Sequence, residues 1–182
     1  GTHQLRVANT TACTSAQTST TACGFVIEFA DSITSYVMNN SATNAGGYPA
    51  SRLHAYLTST IYDSIPSEIR NLIINTTVVS GHGKGESSNY VTSNEKIYLL
   101  SAREVTGLCI DREWSVCEET RQLDYYNLNC SWSWYNTDNP NASKSSRWWL
   151  RDAQVSNKEN FRYMTEYGNC THREAYVSRS EE

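Results

Sequence analysis

An α+β fold with a small antiparallel sheet is predicted for this 182-residue chain, and three observations predict it. Leu53, Leu57 and Ile61 recur at a spacing of four behind Ser51, which makes one apolar helix face with its cap. Runs of β-formers at residues 24–30, 76–79, 96–100 and 147–152 read as strands. Helical patterns cluster in the first half and strands in the second, without βαβ alternation or internal repeat, so the strands pair antiparallel rather than parallel.

Each element follows in chain order. Residues 1–24 are Thr/Ser/Ala-rich and form an arm or edge segment, and residues 25–182 form a single domain of ordinary size. The apolar run 24–30 is read as a buried strand, which residues 31–36 extend or turn away from. The cluster from Asn39 to Pro49 is turn-like. A helix follows Ser51, and Pro66 opens a second one, where a missing N–H costs nothing. Ile69, Leu72 and Ile73 give that second helix a buried stripe. Residues 96–100 are a buried strand, 101–105 a helical turn or loop, and 120–126 a short helix. Residues 106–120 and 127–146 are loops. The strand at 147–152 precedes short strands around Tyr163 and Val177.

Composition narrows the function. The formal net charge is −4 and the sequence pI about 5.6. Clustered Lys and Arg, which a phosphate-backbone binder needs, are missing, so nucleic acid is not an expected partner. No apolar run reaches the ~20 residues that cross a bilayer. Six cysteines (Cys13, Cys23, Cys109, Cys117, Cys130 and Cys170) sit in polar segments without a CxxC pair or a zinc pattern. Three disulfides in an oxidising compartment are the plain reading, with free buried cysteines as the alternative. Local closure suggests Cys13–Cys23 and Cys109–Cys117, which leaves Cys130–Cys170. Asn-x-Ser/Thr occurs at Asn9, Asn39, Asn75, Asn129, Asn141 and Asn169. These would carry glycans in a eukaryotic secreted protein, although chance explains most of them in a chain so rich in Asn, Ser and Thr.

Chemistry-bearing motifs are sparse. The four histidines are His3, His54, His82 and His172. His54 is expected to be partly buried packing and His82 a solvent-exposed loop residue. Residues 80–87 superficially suggest a phosphate cradle, but the spacing of a P-loop is missing and the run ends in Glu86. Glu118-Glu119 and Glu181-Glu182 look like solvated charges. No nucleophile elbow, His-Glu-x-x-His or calcium loop is present. No catalytic constellation, metal site or cofactor is therefore expected, and the chain reads as a binding protein rather than an enzyme.

The binding surface has positive signals. Tyr and Trp supply rigid contact area at low entropy cost, and Ser, Asn and Gly supply adaptable hydrogen bonds. That composition selects Asn127, Asn129, Trp132, Trp134, Tyr135, Asn136, Asn139 and Asn141, then Asn157, Asn160, Arg162, Tyr163, Tyr167, Asn169, His172 and Arg173. Trp132 and Trp134 are expected to be exposed because their neighbours are polar. Trp148 and Trp149 lie in a strand pattern, so at least one ring is core. For Arg151, a structural ion pair or a clamp on backbone carbonyls is weighed ahead of a ligand contact.

Several blocks also carry a family resemblance: Gly46-Gly47-Tyr48-Pro49-Ala50-Ser51, Ile61-Tyr62-Asp63-Ser64-Ile65-Pro66-Ser67-Glu68, Thr76-Thr77-Val78-Val79-Ser80-Gly81-His82-Gly83, Lys96-Ile97-Tyr98-Leu99-Leu100-Ser101, Thr120-Arg121-Gln122-Leu123-Asp124-Tyr125-Tyr126 and Trp148-Trp149-Leu150-Arg151. Together, over roughly residues 25–155, they resemble an uncharacterised domain of surface proteins in gut Firmicutes, some members of which follow a prepilin-like helix. That domain is similar to the C-type-lectin-like fold of formylglycine-generating enzymes and of variable proteins from diversity-generating retroelements. The resemblance implies a C-type-lectin-like domain with a loop-rich C-terminal half, in which Trp148, Trp149 and Arg151 support a hypervariable surface. It implies an extracellular or cell-surface adhesion module for a protein or glycan, tethered to a membrane or pilus through a preceding segment. A structural pilin-type subunit is the first alternative. An enzyme of the formylglycine-generating type, which needs a reactive cysteine pair, is the second. Two departures stand against the pattern: the chain ends Glu174-Ala175-Tyr176-Val177-Ser178-Arg179 where relatives close with a Gly-Val-Ser-Pro-Ala-Phe-Arg-like strand, and the loop cysteines are not a family hallmark.

Overall fold

The computed structural model describes residues 2–14, 23–108, 120–127, 131–132 and 137–175; for residues 131–132, 137–138 and 172–173 the description covers the backbone alone. The architecture is α+β, with small antiparallel sheets and few helices. Two strands, β1 (Leu5–Asn9) and β2 (Val26–Phe29), form one ribbon. A second ribbon pairs β3 (Thr76–Ser80) with β4 (Tyr90–Glu95). The main sheet has five strands in the order β5-β6-β9-β8-β7. Its members are β5 (Ser131–Trp132), β6 (Thr137–Asp138), β7 (Trp148–Ala153), β8 (Asn160–Met164) and β9 (Asn169–Glu174).

The first helix forms where Ser51 caps it, its hydroxyl accepting from His54 N at 3.1 Å. It runs as α1 (Arg52–Tyr56), a π-turn at Leu57–Ile61 and α2 (Tyr62–Ser64). The hydroxyls of Thr58 and Ser59 bond back to His54 O and Ala55 O, the local competition that loosens helical turns. Leu53, Leu57 and Ile61 are buried as expected. His54 is half-buried, and its Nε2 lies 2.9 Å from Glu95 Oε1.

Three expectations change. The second helix is a single turn, α3 (Ser67–Arg70). Ile69 is exposed and Leu72 is 80% exposed, because one turn before the chain departs for β3 cannot bury a stripe. The run 24–30 is not a buried strand. It is an outer ribbon strand, preceded by Phe25 at 72% exposure, and only one of its faces meets the body of the protein. Residues 96–100 form no strand, and the carbonyls at their end go to Arg151 rather than to a ladder: Arg151 N donates to Leu100 O, and its guanidinium to Leu99 O. The helix that follows, α4 (Ala102–Thr106), opens with a full capping box between Ser101 and Glu104.

Strand β7 organises the core because both of its faces are covered. Leu150 joins Val105, Leu123, Tyr126 and Met164 on one side, with Trp148 packed against them. Trp149 and Ala153 join Met38, Tyr48, Leu53 and Phe161 on the other. The β7–β8 register slips between Trp149 and Ala153, and this bulge turns Leu150-Arg151-Asp152 away from β8 and toward α4.

The ends of the chain are tied in locally. The disulfide Cys13–Cys23 is present, while the expected Cys109–Cys117 pair and Cys130 lie outside the described residues. Cys170 is buried in the core. Asp124 receives Thr10 N, Thr11 N and the Thr11 hydroxyl at 2.8–3.0 Å. Those bonds, led by Thr10 N, hold its carboxyl below the usual carboxylate range against a smaller upward push from burial. A folded-state pKa below the unfolded one stabilises above the unfolded value, ~3.9, and the benefit fades as pH falls below it. Asp124→Asn is therefore expected to melt below the parent at neutral pH, with the gap closing progressively as pH falls below about 4. A gap that does not narrow as the pH is lowered below about 4 would contradict this role.

Candidate ligand-binding groove

The scaffold is Arg151. Its guanidinium is fully buried and meets Glu104 in a fork, Nη1 to Oε2 at 2.6 Å and Nη2 to Oε1 at 2.8 Å. Nε donates to Val79 O at 2.8 Å and Nη1 to Leu99 O at 2.9 Å. Both structural roles weighed for this residue, ion pair and carbonyl clamp, occur together. Burial by itself would lower its pKa, and the charge and hydrogen bonds of Glu104 outweigh that and raise it. Beside it, burial raises the pKa of Asp152, while Arg151 and the amide of Ala102 pull the other way.

The scaffold carries a groove of about 180 Å³. One wall is the segment 31–36, held by Trp149 Nε1 donating to Tyr36 O at 3.1 Å. Leu53 and Leu57 line it from the helix, and Ile97, Tyr98 and Leu99 from the segment that Arg151 clamps. Lys144, Arg147 and Trp148 line it from the segment 144–149, which is joined to 31–36 by Ser145 donating to Asp31. Tyr36 stacks on Tyr56 with ring centroids 4.1 Å apart and accepts from Arg52 at its hydroxyl. Trp148 is fixed by its own donation to Ala142 O at 3.1 Å and lies under Lys144, 4.8 Å from the ring centre. Trp149 is buried and Trp148 half-buried, so one ring is core and the other borders the groove.

The electrostatics are local. Lys144 donates to Phe29 O at 2.8 Å and lies 3.7 Å from Glu28; burial lowers its pKa and Glu28 opposes the shift. Burial would raise Asp31, but Ser145 and Ser32 donate to it and hold it below its usual value. Arg147 pairs with Glu166 at 2.9 Å. Burial, and then the Glu104 charge, push the Tyr98 hydroxyl up. One group is unspent: the buried hydroxyl of Ser32 has no hydrogen-bond partner among the described residues.

The Gly-rich loop is occupied from within. Glu86 accepts from Gly46 N at 2.9 Å and Gly83 N at 3.0 Å, so its carboxylate holds amides that a phosphate would need. Burial would raise Glu86, and these bonds together with Tyr90 keep it low. Burial and Glu86 push Tyr90 up to about 12. His82 is half-buried rather than solvent-exposed, its Nδ1 2.9 Å from Gly83 O. Among the described residues, no group of three or more His, Cys, Asp or Glu side chains could hold a metal ion.

The residues expected to contact a ligand are dispersed. Asn139, Asn160 and Arg162 are buried and are not contact residues. The Asn139 amide donates to Val105 O at 2.7 Å and Tyr126 O at 2.9 Å, the Asn160 amide to Gln154 Oε1, and Arg162 lies in the middle of β8. Asn141 donates to Tyr125 O, Asn157 caps Glu159 N, and Asn169 folds onto Thr165, all half-buried and engaged locally. Asn127 is exposed and Tyr167 is 77% exposed. Tyr163 meets Trp149 edge-on and, among the described residues, is the one expected contact residue that lines the groove. Asn129, Trp134, Tyr135 and Asn136, with Glu118, Glu119, Val177, Glu181 and Glu182, lie outside the described residues, as do the side chains of Trp132, His172 and Arg173. The sequons are mostly spent as well: the amides of Asn9, Asn39 and Asn141 bond main-chain carbonyls, while Asn75 is exposed. Ser32, Tyr36, Tyr98 and Arg147 were not singled out by the sequence, since the groove joins segments more than a hundred residues apart.

No curated protein and no solved structure matches this chain. A family model described as a domain of unknown function, DUF6273, matches residues 26–180, so the chain belongs to the DUF6273 family.

Proposed function

We propose that the chain is an adhesin-like surface module that binds an extracellular protein or glycan through the aromatic groove. The observation that carries this reading is the groove itself: a concave, mainly apolar site with aromatic walls and one unspent buried hydroxyl on Ser32. Apolar lining with a few placed polar groups is the general form of a ligand site. A volume of ~150 Å³ is enough for a benzene ring, so about 180 Å³ takes one ring or side chain of a larger ligand. Tyr36, Tyr98 and Trp148 would pack against that group, and Ser32 would hydrogen-bond beside it. A C-type-lectin-like arrangement, with Trp148-Trp149-Leu150-Arg151 as the supporting strand, is part of the same reading. So are an extracellular location and a tether through a preceding segment.

Filling the groove tests the proposal. Ser35 is exposed on its wall, so Ser35→Trp adds bulk at little expense to folding. Arrays of defined glycans and of peptides, probed with parent and variant, are expected to show parental binding that falls at least tenfold in Ser35→Trp at an unchanged melting temperature. Equal binding by the two proteins, or no binding by the parent to either array, would count against the groove.

A further inference from the structure

We propose that the seat of β1 is a strand-exchange site, filled by the chain's own β1 in the monomer and by β1 of a second copy when the Cys13–Cys23 latch is open. The proposal is independent of the ligand reading. Strand β1 (Leu5–Asn9) lies before the residues that match the family, 26–180, yet it completes a specific seat on them. It pairs with β2 in antiparallel register, Val7 opposite Ile27. Arg6 is the key of the seat. Its Nε donates to Glu28 at 2.7 Å, Nη1 to the Tyr125 hydroxyl and Nη2 to the Tyr126 hydroxyl at 3.0 Å, and its guanidinium lies 3.9 Å from the Tyr125 ring centre. Past the end of β1, Asp124 takes the amides of Thr10 and Thr11.

These contacts recognise the sequence of β1, so the occupant they fit is another β1. They are the same whichever copy supplies it, and the balance is then set by the connecting chain and by protein concentration. From Asn9 to Val26 the extended chain reaches about 55 Å, enough to place β1 on a neighbour. The disulfide joins Cys13 to Cys23 with Cα atoms 4.5 Å apart, so the path shortens to seven residue steps plus the bridge, about 28 Å. That reach suits a hairpin and disfavours exchange. The latch opens when a dithiol gives two electrons and two protons to Cys13 and Cys23 and leaves as its own disulfide. The outer face of the ribbon adds a further reason for a copy to settle there, since Leu5, Val7 and Ile27 are all exposed and Phe25 stands beside them.

The experiment uses the full chain in two forms, Cys13→Ser/Cys23→Ser and the parent with a dithiol reductant, beside the oxidised parent. Light scattering after size exclusion is expected to show a concentration-dependent dimer in both open forms and a monomer in the oxidised parent. Strand origin is read by adding V7C and I27C to the double-serine chain, mixing isotope-labelled with unlabelled protein, oxidising, and identifying the joined peptides by mass spectrometry. Joining of peptides from different chains supports exchange. Monomers in both open forms, or dimers whose residues 7 and 27 join only within one chain, would overturn it.

Discussion

Arg151→Ala is expected to destabilise the folded chain by about 3–5 kcal/mol, because it leaves Glu104 as an uncompensated buried charge. In a domain of this length that lowers the melting temperature by roughly 6–20 °C. The loss has three parts: the fork on Glu104, the bond to Val79 O and the bond to Leu99 O. The first ties β7 to α4, and the other two tie it to β3 and to the irregular segment 96–100. Arg151→Lys should recover little, since a lysine ammonium cannot donate in a planar fork. Replacing both partners, as Arg151→Met with Glu104→Leu, should recover much of the loss, because neither charge is then left buried. Thermal denaturation of the four proteins checks the order. An Arg151→Ala protein that melts within a degree of the parent would show that the clamp does not hold the fold.

Asn139→Ala comes second, with an expected loss of about 1–3 kcal/mol. Its side-chain amide shares with Gln122 the donation to Val105 O at the end of α4 and to Tyr126 O at the end of a 3-10 turn. The backbone there is equally constrained. Asn139 N donates to Gly168 O, and Gly168 has φ +87 with no room for a Cβ against Asn139 O. Alanine would remove both of these bonds, each worth about 0.5–1.5 kcal/mol, and leave the two carbonyls to Gln122 Nε2, which reaches them at 3.2 and 2.6 Å. Tyr167→Ala, at an exposed position on the same turn, should change stability by less than about 0.5 kcal/mol. Chemical denaturation of the two variants separates a structural asparagine from a contact residue. If Asn139→Ala unfolds like the parent, the burial argument against its role in binding falls.

The parts of the fold that could be read in the sequence are those whose signal is local. Ser51 with Leu53, Leu57 and Ile61 announces a capped amphipathic helix, and the run 147–152 announces β7, the edge strand whose two faces carry the core. The errors came where tertiary partners decide. Residues 96–100 carry a β-former pattern, but Arg151 takes the carbonyls of Leu99 and Leu100, and no ladder forms. Ile69 and Leu72 repeat at helical spacing in a helix one turn long. Phe25 and Ile27 stand out in an apolar run that only a two-stranded ribbon covers.

The candidate site was legible in one respect. For Arg151 the sequence favours an ion pair or a clamp on backbone carbonyls over a ligand contact, and the residue makes both. The contact surface was not legible. An Asn-rich, Tyr-rich composition looks the same whether the amides face solvent or tie loops to the core, and Asn139, Asn141 and Asn160 do the latter. The groove has no contiguous motif. Ser32, Tyr98 and Trp148 meet there only because Trp149 pins residues 31–36 and Arg151 pins residues 97–99 to the same strand.

Hydrogen–deuterium exchange with and without a ligand found on the arrays tests the groove most directly. Added protection is expected in residues 31–36 and 144–149, two segments that line it. Protection confined to residues outside the groove, such as 125–127 or 167–169, would contradict it.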